Sequence, residues 1–230
     1  MYANDFDETM PLSTSNIDGR WLWNFRHMSP PNWSSSSHPA ITGSRFVWPN
    51  SSQEYGITDE DLTCPNHQAV RVQSARFTYD TPLARPKGVS YAMNGLLNAY
   101  KLADITNKAL VPMVWEGRGR AKLLGGVIQN PFLYCDDGTQ PCTFNTSCSR
   151  TTNGGTGSAF ALDASVWTHG KQNNWLFVDG HVEGRKMGAV LFPGNTDRSR
   201  DLYNDYSAVG LPGSIWLEDG CYPTLFKPNP

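Results

Sequence analysis

Residues 169–186 read HGKQNNWLFVDGHVEGRK. Residues 173–178 (NNWLFV) are β-prone, residues 181–186 (HVEGRK) return, and Asp179-Gly180 stands between the two runs. Asp-Gly flanked by such runs predicts a β-hairpin with a two-residue type I′ turn, in which both central residues take φ > 0. His169, Asp179, Gly180 and His181 are the structural motif of this hairpin. His169 is expected to hydrogen-bond the backbone, or Asp179 across the hairpin, and so to hold the register. Two imidazoles and a carboxylate are also donor types for Zn²⁺ or for general acid–base chemistry. Asp179 is already accounted for by the turn, however, and a structural role is the expectation.

Outward from the hairpin the chain offers further short strands. Residues 69–79 (AVRVQSARFTY) alternate in the manner of a strand. Residues 88–94 (GVSYAMN) read as another strand, closed by the Asn94-Gly95 turn signal. Residues 96–108 place Leu97, Tyr100 and Ala103 at helical spacing and predict a short helix or helical turn. Residues 109–115 (ALVPMVW) read as a strand that Pro112 demotes to an edge or a bulge. Residues 130–157 are rich in Cys, Gly, Thr and Asn and predict an extended surface loop.

Composition bounds the function. The chain has 230 residues with 21 Gly and 16 Pro, and only 17% of positions are charged, with a formal net charge of −2. A typical domain carries roughly 25% charged residues. Without a basic excess there is no electrostatic footprint for nucleic acid. No apolar run approaches the roughly 18–20 residues of a membrane span, and the start MYANDFDETMPL lacks the n- and h-regions of a signal peptide. The 39% hydrophobic content, with 8 Trp, 9 Tyr and 10 Phe, is enough for one large core or two small ones.

Cys135, Cys142 and Cys148 fall in one polar stretch, and their spacing does not match zinc ribbons or fingers. They are the disulfide candidates, with a bridge pinning the loop, and the odd total of 5 leaves one cysteine over. Asp136 and Asp137 are candidate Ca²⁺ ligands on that loop, as is the acidic run 59–61, although neither has the D-x-D-x-D-G ladder. Asn32, Asn50 and Asn145 fit the N-x-[ST] glycosylation frame. Trp21, Trp23, Trp33 and Trp48 sit in a polar first quarter, where exposed rings would make a sugar platform and buried ones a core or a subunit contact. No G-x-S-x-G, H-E-x-x-H, P-loop or G-x-G-x-x-G frame occurs, so no catalytic residue is predicted.

The frame H-x9-D-G-H-V from His169 to Val182 resembles the "H-X9-DG" domain at the C-terminus of pilin-like proteins processed by prepilin peptidase, relatives of the major pseudopilins of type II secretion. Other stretches agree in order. Residues 1–11 (MYANDFDETMP) resemble the "YANDYD…P" end of that family's long N-terminal helix. Cys64-Pro65 resembles its "CP" step, residues 90–94 (SYAMN) its "SYxxN" strand, and residues 105–116 its "I…P…vxxxE/D" strand.

The resemblance implies an α+β, β-dominated, pilin-like globular domain over residues 1–187, an antiparallel sheet of short strands with long loops. Residues 188–230 would then extend over that domain or a neighbouring subunit. The family's basic leader, G-F-T-L-I-E-like cleavage site and apolar helix are not in the sequence shown, which implies that Met1 lies inside or just after the helix. The implied function is structural: a subunit of an extracellular or periplasmic filament, anchored as a precursor in the bacterial inner membrane and partnered by copies of itself. No cofactor is implied beyond the candidate Ca²⁺. A secreted carbohydrate-binding or adhesive module is the alternative, motivated by the tryptophans and the polar loops.

Overall fold

The computed structural model describes residues 5, 7–13, 15–17, 20–22, 47–58, 60–66, 68–71, 88–117, 121–124, 129–135, 142–145, 156–160, 169, 172–186, 196–198, 201–205, 213–218 and 221–229. Among these, short strands and loops dominate. The strands are β1 (Ser15–Ile17), β2 (Arg20–Leu22), β3 (Gln68–Arg71), β4 (Gly88–Val89), β5 (Ala92–Met93), β6 (Pro112–Trp115), β7 (Ala121–Leu124), β8 (Phe132–Cys135), β9 (Thr156–Ala159), β10 (Gln172–Phe177) and β11 (Val182–Lys186). Among the described residues, helix occurs at Asp5, in α1 (Trp48–Ser51) and in 3-10 turns such as Gly95–Leu97 and Leu102–Asp104. No helix among the described residues is long and apolar enough to cross a membrane.

The strands form three small sheets rather than one. Two are antiparallel, in the orders β1-β2-β8-β9 and β11-β10-β6-β5, and the third, β3-β7-β4, pairs β3 parallel to β7. A parallel pair needs a crossover of a dozen or more residues. The chain from Arg71 to Ala121 provides one, and β4, β5 and β6 lie within it.

The predicted hairpin is present, with Gln172 opposite Lys186 and Leu176 opposite Val182. Its turn differs from the expected type I′. Only Gly180 takes a positive φ, 93°, and Asp179 does not. The Gly180 N–H donates to the Phe177 carbonyl at 3.0 Å and the Phe177 N–H to the His181 carbonyl at 2.9 Å. This is a three-residue loop over Val178, Asp179 and Gly180 with a glycine bulge. The Val178 N–H donates to the Val111 carbonyl at 3.1 Å, which ties the first residue of the loop to the segment just ahead of β6.

Residues 88–94 are not one strand. The Ser90 N–H donates to the Leu62 carbonyl and its Oγ accepts from the Cys64 N–H, which removes Ser90 from the ladder. Gly88–Val89 therefore pairs with β7, while Ala92–Met93 pairs with β6 in a different sheet. Asn94-Gly95 makes no hairpin turn, because the Asn94 side chain caps the 3-10 turn Gly95–Leu97 by accepting from the Leu96 N–H. The short helix or helical turn expected over 96–108 takes the second form, as two 3-10 turns, and Ala99 between them has a φ of 52° that no continuous helix accepts. Strand β6 is interior rather than an edge, and its Pro112 sits at a register shift against Leu176 and Phe177, so a bulge accommodates it.

The stretch 130–157 is likewise not all loop. Phe132–Cys135 and Thr156–Ala159 pair as antiparallel strands, Leu133 is fully buried, and Cys142 and Phe144 are buried as well. Cys135 and Cys142 form a disulfide. Cys221 is disulfide-bonded too, which the candidate set did not include, and Cys148 lies outside the described residues.

The core is aromatic. The Trp115 and Trp175 rings, neighbours across β6 and β10, lie 4.6 Å apart, and Phe226 packs against both at 5.0 and 5.6 Å. Ring pairs at such separations add about 0.5–1.5 kcal/mol beyond area burial. Phe226 brings the C-terminal segment into the core, and buried Asn94 holds it there: its Nδ2 donates to the Phe226 carbonyl at 2.8 Å and to the Pro112 carbonyl at 3.0 Å. Burying an amide is tolerable only with such partners.

Candidate functional site

Glu116 follows directly on β6, where the ladder with β10 carries it inward, and its side chain is only 1% exposed. A carboxylate so buried needs compensation. His169 Nε2 lies 2.7 Å from its Oε1, and the backbone N–H of Asn174 in β10 donates to its Oε2 at 2.8 Å. His169 is held just ahead of β10 by two backbone hydrogen bonds with Gln172. Its ring is 31% exposed, so the site opens toward solvent on the histidine side. Cys64 completes the cluster from the segment that precedes β3: its Sγ is 3.7 Å from His169 Nε2, and its N–H donates to Ser90 Oγ at 2.9 Å. The ligand atoms of Cys64, Glu116 and His169 all lie within 4.8 Å of one another. The other ring nitrogen, His169 Nδ1, faces the Asn66 side-chain amide at 3.2 Å.

No family model, curated protein or solved structure matches the chain.

The stretches around Cys64, Ser90, Glu116 and His169, far apart in the sequence, therefore meet in one place. Sequence reading singled out His169 as a site residue, whereas Cys64 and Glu116 entered only as parts of the "CP" and "vxxxE/D" resemblances. The signal was present in the lone acid that ends the apolar run 109–115 and in the cysteine that stands apart from the cluster 135–148. Cys64 is buried and outside any disulfide. Nearby, burial raises the Tyr91 phenol above its ordinary value, and negative charge on Glu116, Cys64 and Asp61 adds to the rise.

His169 does not bond Asp179. That aspartate instead pairs with His181, whose Nδ1 is 2.6 Å from Asp179 Oδ1 and whose N–H donates to the same oxygen at 3.1 Å. These bonds hold the Asp179 carboxyl below the usual carboxylate range. His181 stacks on Phe177 with ring centroids 4.3 Å apart. The three groups of the hairpin motif thus form two separate pairings.

Of the acidic run 59–61, Asp61 is engaged locally: its Oδ2 accepts from the Thr58 N–H and Oγ1, and these bonds lower its pKa. Asp59, Asp136 and Asp137 lie outside the described residues, as do Asn32, Trp23, Trp33 and Trp167. Asn145 is exposed, and Asn50 lies in α1. Trp48, Trp115 and Trp175 are buried, which removes those three rings from any exposed sugar platform.

A second feature lies on the other face of the β11-β10-β6-β5 sheet. Met93, Val114, Leu176 and Val182 are consecutive cross-strand partners, and so form one apolar row across all four strands. Exposure grows along it, from 0% at Met93 to 66% at Val182. The row lies along a groove of about 710 Å³ that Met10, Trp48 and Ile57 also line.

Proposed function

We propose that this chain is the globular subunit of a pilin-like or pseudopilin-like filament of the bacterial surface or periplasm, and that it acts by self-assembly. The observation that carries the reading is the apolar row from Met93 to Val182. A sheet with one face in the core normally presents polar residues on the other. Here that second face is apolar and exposed at the Val182 end, with exposed Ile57 beside it in the same groove. Surfaces of this kind mark contacts.

The occupant that fits is an amphipathic helix of the pilin type, laying an apolar stripe into the groove. Met10 and Pro11 line the groove, so a helix upstream of them is within reach of it. In a precursor such a helix anchors the subunit in the inner membrane, and in the filament it packs against those of neighbouring copies. Growth then follows a heterologous contact that does not close on itself.

The test starts from the codons upstream of Met1, which are expected to encode a G-F-T-L-I-E-like leader and an apolar helix. The subunit with that segment is expected to form filaments of fixed diameter by electron microscopy. Val182→Asp, at a position 66% exposed, should abolish them while circular dichroism stays unchanged. A cleavable secretory signal upstream, or filaments indifferent to Val182→Asp, would overturn the reading.

A further inference from the structure

The pairing of Cys64, Glu116 and His169 has a directional feature that separates two chemistries. In a nucleophile–histidine–carboxylate relay, the imidazole faces the nucleophile with one nitrogen and the carboxylate with the other, because the proton enters at one side of the ring and the charge is stabilised from the opposite side. Here Cys64 Sγ and Glu116 Oε1 both face the same nitrogen, Nε2, at 3.7 and 2.7 Å, and Nδ1 faces Asn66. The donors therefore converge on a common point instead of forming a line.

We propose that this point is a Zn²⁺ site, with Cys64 Sγ, His169 Nε2 and a Glu116 carboxylate oxygen as protein ligands and a fourth position open on the solvent side of His169. The donor set is one sulfur, one nitrogen and one oxygen, which suits a borderline cation such as Zn²⁺ better than the oxygen-only preference of Ca²⁺ or Mg²⁺. Ligands about 2.0–2.3 Å from a tetrahedral ion lie roughly 3–4 Å from one another. The Sγ–Nε2 separation of 3.7 Å falls in that range, and the 2.7 Å hydrogen-bond contact between Nε2 and Oε1 widens as the ion takes the place of the shared proton.

The surroundings are those of metal ligands. Metal-bound histidines commonly hand their second N–H to a fixed acceptor, and ligating carboxylates are themselves hydrogen-bonded. Asn66 faces Nδ1 at 3.2 Å; with its amide turned by half a rotation, Oδ1 accepts from Nδ1–H and leaves Nε2 with a lone pair for the ion. Glu116 Oε2 is held by the Asn174 N–H, which leaves Oε1 to point at the shared centre. Binding displaces the thiol proton of Cys64 to solvent and forms the zinc–thiolate bond. The cluster also gives Cys64 a reason to stay a thiol in a chain whose Cys135, Cys142 and Cys221 are all oxidised.

The test uses the whole chain, stripped with EDTA without reductant and titrated with Co²⁺, which occupies zinc sites and reports thiolate ligation by a charge-transfer band. One equivalent of Co²⁺ should produce the band, and Zn²⁺ should displace it. Cys64→Ser should lose the band. Asn66→Ala should weaken Zn²⁺ binding about 10- to 100-fold, and His169→Gln by more than that. His169→Gln changes a partly exposed ring and keeps the test decisive if Cys64→Ser fails to fold. Absence of the band in the wild type, or Zn²⁺ affinity unchanged by His169→Gln, would overturn the site. Filament formation does not enter this readout, so the site and the filament reading stand or fall separately.

Discussion

His169 and His181 come from the same short stretch and each meets one carboxylate, at 2.7 Å from Glu116 and 2.6 Å from Asp179. The contact lengths are nearly equal, yet the environments are not. Glu116 is 1% exposed and has its second oxygen tied to the Asn174 backbone, whereas Asp179 is 37% exposed and His181 42%. Solvent competes for the second pair and screens it, while the first is largely shielded by protein, so Glu116 relies on the His169 ring and the Asn174 N–H. Distance alone thus says little about what an ion pair contributes; burial of the carboxylate decides.

The comparison breaks most readily at His169. His169→Ala, with metal chelated, strands the buried Glu116 carboxylate with only the Asn174 N–H, and should cost about 3–5 kcal/mol in urea denaturation. Glu116→Ala removes the buried charge itself and leaves a partly exposed ring and one backbone N–H without their acceptor, and a smaller loss of about 1–3 kcal/mol is expected. A loss in either variant no larger than in His181→Ala would erase the distinction between the two pairs. At the exposed end, Gly180→Ala puts a β-carbon on a residue with φ of 93° and should cost about 1–2 kcal/mol through the backbone rather than through any ion pair. The Asp179–His181 pair itself should be seen mainly through pH. Its folded pKa is depressed, so its contribution is present above the unfolded value of about 3.9 and is lost as pH falls through the folded value. NMR titration should find the Asp179 carboxyl below its ordinary value in the wild type and nearer to it in His181→Ala, which loses the imidazole but keeps the backbone N–H.

The hairpin was legible because its signal is local: two β-prone runs and a dipeptide that permits a tight turn. Its turn type was not, since the Val178 N–H that opens the loop is held by the Val111 carbonyl, just ahead of β6 and more than sixty positions earlier in the chain. The break at Ser90 was hidden for the same reason, because its partners Leu62 and Cys64 lie far upstream. Pro112 was read as marking an edge or a bulge, and the strand order, with β5 covering the other side of β6, selects the bulge. Among site residues His169 could be found from its frame. Glu116 could not, because an acid after an apolar strand reads as a strand end until the fold shows it buried.

By itself the sequence determined a β-dominated, aromatic, weakly charged domain with one sharply marked hairpin, because alternation, turn chemistry and composition act over a few residues. The tertiary structure alone decided that Cys64, Glu116 and His169 share a centre, that Phe226 closes the core over Trp115 and Trp175, and that the row from Met93 to Val182 is apolar across four strands. Those arrangements join residues 53 and 105 positions apart and more, where no local preference reaches and only the pairing of strands and the burial of rings select one register.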